Sequence, residues 1–185
     1  MKKTIIFALT FLLLMGCRHH RAVSPRLVEL DSLIAVAPDS AAALLAAIPY
    51  DSLTAPENRA YHALLLTQAK YKAYIPATSD SDINIAVDYF VAKNDGNYDR
   101  RIRSLIYKGC VMTELNHPDS AMYWFKCAET AASPDDHANL GYINYRMGEL
   151  CMDEHEFESQ SIRYLSSALE EYDETNVLFG CAAGV

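Results

Sequence analysis

Four residues in the stretch LIYKGCVMTELNHPDSAMYWFKCAET, residues 105 to 130, restrict the fold of this chain more than any others. Gly109 is followed twelve positions later by Ala121, and then by Phe125 and Ala128 at steps of four and three. Steps of three and four keep side chains on one face of a helix. The spacing places two small residues where two helices cross and a large aromatic residue beside them. Gly109 and Ala121 lack bulk, so the helices can approach closely. Phe125 is then expected to fill the gap towards a following unit, with Ala128 leaving room for its neighbour.

The rest of the chain supports a helical reading. Leu27, Leu30, Leu33 and Ile34 recur at helical spacing after Pro25, with Ser24 as a cap and proline in the first turn. Pro38 stops that helix, Asp39 or Ser40 caps SAAALLAAI, and Pro49 ends it. A longer helix follows Pro56 and stops at Pro76, and SDSDINIAVDYFVAK forms its partner before the turn Asn94-Asp95-Gly96-Asn97. Four more helices are predicted, from about Tyr98 to Leu115, Asp119 to Ala132, Asp135 to Cys151 and His155 to Tyr172. No apolar and polar alternation persists long enough for a strand. The fold class is all-α, and short connections favour antiparallel pairs.

A second copy of the pattern runs from Gly141 to about Tyr172. Gly148 takes the small position, with Ser161, Leu165 and Ala168 on the second helix. Its turn near His155 is one residue longer, and the two glycines stand 39 residues apart, with extra residues around SPDDH. In an earlier unit Ala86 and Phe90 fit, while Tyr74 stands at the small position. Residues 25 to 48 read as a degenerate first pair or cap. This pattern resembles the tetratricopeptide repeat, a 34-residue helix–turn–helix unit. The resemblance covers residues 57 to 173 well and 25 to 48 loosely. It implies antiparallel helix pairs stacked as a short right-handed solenoid.

The amino terminus carries an address. Lys2 and Lys3 precede an apolar run from Ile5 to Met15, too short to span a bilayer. The run ends in Leu14-Met15-Gly16-Cys17, which resembles the bacterial lipobox. That resemblance implies diacylglyceryl modification of Cys17, cleavage before it and acylation of the new amine, a stable two-chain anchor. Residues 1 to 16 are then a signal peptide and 17 to 24 a lipidated tether. Losing Lys2 and Lys3 takes the formal charge from −8 to −10, which disfavours nucleic-acid binding. Together the lipobox and repeats resemble the exported tetratricopeptide-repeat lipoproteins of the Bacteroidota. Arg18 and RHHR favour the outer membrane, facing the periplasm, over surface export. Cys110, Cys127, Cys151 and Cys181 show no paired spacing, and connectivity is open.

The carboxyl end, ETNVLFGCAAGV, is apolar and uncharged after Glu174. It reads as an incomplete further helix or tail over 174 to 185, as though a longer array were cut short. Arrays normally finish with a polar outer face.

No catalytic constellation stands out. The six histidines form no HExxH pattern, Cys110 has no evident histidine partner, and there is no G-x-S-x-G elbow or glycine-rich phosphate loop. No enzyme, metal or cofactor is expected. Tetratricopeptide arrays line a concave groove with their first helices. Carried onto this chain, that implies a partner groove of Arg103, Ile106, Cys110, Thr113 and Glu114 in one unit. In the next it implies Tyr142, Tyr145, Glu149, Met152 and Asp153. The expected function is a lipid-anchored envelope scaffold holding a protein or peptide partner. Two alternatives remain: a glycan-capture lipoprotein, and the amino-terminal part of a longer repeat-containing regulatory protein. Short loops and a lone tryptophan, Trp124, within a helix weigh against glycan capture.

Overall fold

A computed structural model describes residues 23–93, 96–152 and 158–183, with residue 158 and residues 176–183 described by backbone alone. Among the described residues there are eight α-helices and no strand. These are α1 (Pro25–Ile34), α2 (Pro38–Ala46), α3 (Pro56–Lys72), α4 (Ser81–Ala86, continued by the π turn Val87–Val91), α5 (Tyr98–Glu114), α6 (Pro118–Ala131), α7 (His137–Met152) and α8 (Glu158–Ala183). A short 3-10 turn, Tyr50–Ser52, links α2 to α3.

Proline opens four of these helices rather than only closing others. It sits in the first turn of α1, α2, α3 and α6, where its missing N–H has no intrahelical partner to lose. The cap of α2 is accordingly Ala37, and not Asp39 or Ser40, which lie inside the helix. Side-chain capping appears at two of the starts that lack proline. Asn97 Oδ1 accepts from the Arg100 backbone N–H at 3.0 Å, and Asp136 Oδ1 from that of Asn139 at 3.3 Å.

The ends of α3 and α5 are alike. Tyr74 and Asn116 both adopt positive φ, 55° and 59°. The following N–H groups, of Ile75 and His117, reach back to the carbonyls of Lys70 and Met112 at 2.9 Å. This is the Schellman closure, in which a left-handed residue satisfies the last carbonyls. Tyr74 therefore lies in the turn beyond α3, not at the small position of a helix crossing. Alignment of the two ends puts the buried Thr67 there instead.

The helices pack with their near neighbours in chain order, as in a solenoid. The pairs α1/α2, α3/α4, α5/α6 and α7/α8 each pack internally, and α1, α3, α5 and α7 touch in succession. Two glycines set the pair spacing. A Cβ on Gly109 would lie 2.5 Å from Phe125 Cε1, and one on Gly148 would lie 2.7 Å from Leu165 Cδ2. The second copy reproduces the first at this crossing, and its longer turn near His155 lies outside the described residues. Phe125 thus fills the crossing of its own pair rather than the gap to the next. Being fully buried, it contributes about 1.5–3 kcal/mol of burial.

The same two positions recur on every second helix: Ala41 and Leu45, Ala86 and Phe90, Ala121 and Phe125, Ser161 and Leu165. All are buried except the half-buried Leu165. Residues 25 to 48 are therefore a full helix pair. The tetrapeptide Pro-Asp-Ser-Ala at 38–41 and again at 118–121 marks this register. At the far end, α8 runs unbroken to Ala183, so residues 174–183 extend one helix instead of opening another.

Candidate functional site

The described members of the expected groove lie on α5 and α7, and two side-chain clusters join these helices to α1 and α3. The first centres on Arg103 of α5. Its Nη1 donates to Asp31 Oδ1 of α1 at 2.8 Å and to Gln68 Oε1 of α3 at 3.0 Å. Its Nη2 donates to Asp31 Oδ2 at 3.0 Å and to Asp99 Oδ2 at 2.6 Å. Tyr61 Oη donates to Asp31 Oδ2 at 2.6 Å. One turn earlier, Arg100 pairs with Glu57 at 2.8 Å and lies 4.0 Å above the Tyr61 ring.

Charge and burial set the ionisation of this cluster. Burial raises the Asp31 carboxyl, but hydrogen bonds from Arg103 and Tyr61 outweigh it and hold the group below its ordinary value. The Tyr61 phenol is pushed up to about 12 by burial and by its bond to Asp31. Arg103 is buried at a cost, and Asp31 and Asp99 more than offset it, raising its affinity for the proton. The cluster is a fixed ion pair linking three helices.

The second cluster is aromatic. Tyr71 of α3 and Tyr107 of α5 meet edge to face, with centroids 5.8 Å apart. Arg146 of α7 lies 5.7 Å above the Tyr71 ring. Cys110 Sγ approaches Tyr142 Oη at 3.8 Å. Burial, then the neighbouring Cys110, pushes Tyr71 up to about 12 and raises Tyr107 and Tyr142 as well. Burial also raises the Cys110 thiol. A protonated thiol in such surroundings is a poor nucleophile. Cys110, Cys127 and Cys151 carry thiols and are not joined in disulfides.

The ten expected groove residues divide sharply. Arg103 is engaged by three helices, and Ile106 and Cys110 are buried. Tyr142 is half-buried within the aromatic cluster. These four pack one helix against the next and do not line an open groove. Thr113 is half-buried, its hydroxyl donating to the Gly109 carbonyl at 3.1 Å. Glu114 is exposed and accepts from the Ala77 backbone N–H at 2.9 Å, at the rim of a cleft of about 270 Å³ that Lys70, Ile75 and Asp82 also line. Tyr145 is exposed and donates to Glu149 Oε1 at 2.7 Å, while Glu149 also takes Arg146 Nη1 at 2.5 Å. Met152 is exposed. Asp153 and Cys17 lie outside the described residues.

Sequence reasoning missed Asp31, Tyr61, Gln68, Tyr71, Tyr107 and Arg146. A signal existed. Tyr61 and Gln68 stand seven residues apart, as do Arg103 and Cys110, the spacing that keeps side chains on one face of a helix.

Two histidines are structural. His62 Nε2 lies 2.9 Å from the Leu45 carbonyl, and His137 Nδ1 lies 2.7 Å from Glu171 Oε2, tying α7 to α8. Among the described residues, no three His, Cys, Asp or Glu side chains are grouped to hold a metal ion, and no helix is long and apolar enough to cross a membrane. No protein-family model, curated protein or solved structure matches the chain.

Proposed function

We propose that this chain is a non-catalytic, tetratricopeptide-like scaffold, tethered through lipidated Cys17 to the envelope membrane of a Gram-negative bacterium. Its placement is the outer membrane, facing the periplasm. The helix pairs hold a protein or peptide partner, and the accessible members of the expected groove, Thr113, Glu114, Tyr145 and Glu149, belong to the binding surface. The observation that carries this reading is the repeated crossing, Gly109 against Phe125 and Gly148 against Leu165. Two copies of one small-against-large fit, stacked in chain order, make a repeat array. Such arrays present extended surfaces for binding.

The test has two parts. Cys17→Ala is expected to abolish fatty-acid labelling and detergent-requiring behaviour; unchanged labelling would remove the anchor. A photo-crosslinking residue in place of Tyr145, in the lipoprotein within its native envelope, is expected to trap one protein reproducibly. A crosslinker at Tyr123, exposed on α6, serves as the control. Identical products from both sites, or retention by soluble polysaccharide in affinity electrophoresis with no protein trapped, would overturn the reading.

A further inference from the structure

The register shared by α5/α6 and α7/α8 shows which positions of α7 and α8 are left uncovered. With Gly109 matched to Gly148, Ile106 and Thr113 of α5 correspond to Tyr145 and Met152 of α7. With Phe125 matched to Leu165, Met122 and Glu129 of α6 correspond to Ile162 and Leu169 of α8. In the inner pair these positions are buried or half-buried. Ile106 is 3 % exposed, Met122 packs against the core, and Lys126, on the same row of α6, lies 4.7 Å above the α8 ring of Tyr164. In the outer pair, Tyr145, Met152, Ile162 and Leu169 are 41 %, 61 %, 60 % and 67 % exposed. Four large apolar side chains from two helices thus form a single uncovered stacking face. An apolar face of this kind marks an interaction site.

The charge beside it selects the occupant. Glu170, Asp173 and Glu174 are exposed on α8 next to Leu169, against one exposed arginine, Arg163. A second copy set face to face would oppose carboxylate to carboxylate, which is unfavourable. We propose that the α7/α8 end face docks an amphipathic helix of a partner protein, with leucine-like residues on the stripe and lysine or arginine at its flanks, in the helix-in-groove manner. This rests on the reading of the chain as a partner-binding scaffold and adds the place and chemistry of contact.

The test uses the full lipidated chain in neutral phosphatidylcholine nanodiscs, with empty nanodiscs as the blank. The probe is a labelled 21-residue synthetic helix with Leu at heptad a and d positions and Lys at its flanks, followed by fluorescence anisotropy. The paired substitution Ile162→Lys and Leu169→Lys is expected to weaken binding at least tenfold without changing the helical circular dichroism. Tyr123→Lys, on an exposed site of α6, is expected to change it less than twofold. A matched helix with Glu flanks is expected not to bind. Equal losses in the two variants, equal binding of the Glu helix, or a chain that sediments as a dimer until the paired substitution splits it would each overturn the proposal. Crosslinking from Tyr145 that persists despite the paired substitution would also overturn it, while leaving the scaffold reading in place.

Discussion

The pairs α5/α6 and α7/α8 are built to one plan and differ in their surroundings. Each crosses at a glycine with a bulky residue wedged against it, Phe125 in one and Leu165 in the other. Phe125 is wholly buried, whereas Leu165 is half-buried. The inner pair is held by Arg103, Lys108 and Tyr107 on the preceding side, and α7 and α8 follow it. The outer pair has the Tyr142 and Arg146 contacts behind it and an uncovered apolar face ahead. The same local sequence logic yields a core in one place and a surface in the other, because in a stack burial is supplied by the neighbour.

Substitutions at the wedge widen or erase this difference. Phe125→Ala is expected to cost about 3–5 kcal/mol in denaturant unfolding, against about 1–2 kcal/mol for Leu165→Ala, because only the first leaves a closed cavity. Equal losses would mean that the two crossings are equally sealed. The glycines come next. An alanine Cβ at Gly109 meets the fixed Phe125 ring, so Gly109→Ala is expected to destabilise by about 1–3 kcal/mol despite the helix propensity it gains. Gly148→Ala meets a Leu165 side chain with room to swing aside and is expected to change stability by less than about 1 kcal/mol. Phe125→Leu should recover part of the Gly109→Ala loss.

Two further effects separate the two sides of the stack by pH. Asp31→Asn, on the sealed side, is expected to cost about 1–3 kcal/mol near neutrality by leaving Arg103 short of a carboxylate. Because the folded carboxyl titrates below its ordinary value of 3.8, that contribution is present above pH 4 and disappears as pH falls through the folded value. Thermal melts of the two proteins should converge in that range. On the open side the sign reverses. The hydrogen bond with Glu171 raises His137 above its ordinary value of 6.5, so the clasp is full below that pH and is lost as pH rises through the folded value. Fraying of α8 should increase slightly as pH rises from about 6.5 through the folded value. His137→Ala should abolish that dependence.

Much of the fold could be read from the chain, and the reasons differ by element. Proline and turn residues bound the helices, and the small-to-large spacing at Gly109 and Gly148 is a packing requirement written directly in residue size. Tyr74 was misplaced because a bulky residue at positive φ carries no sequence mark, whereas Asn116 in the matching turn tolerates that conformation readily. The break before Glu174 failed because nothing between Glu158 and Ala183 stops a helix; its Gly180 is tolerated. The groove was half legible. A first-helix row can be recognised from spacing, but whether Arg103 meets solvent or Asp31, 72 residues away, depends on the stack and not on the row.

Helix-resolved native-state hydrogen exchange tests the central claim most directly, that two pairs built to one plan differ in stability through their neighbours. The account predicts strongest protection in α5, with α7 and α8 opening together at a lower free energy than α5 and α6. Equal protection across all four helices, or an α7/α8 pair that outlasts α5/α6, would contradict it.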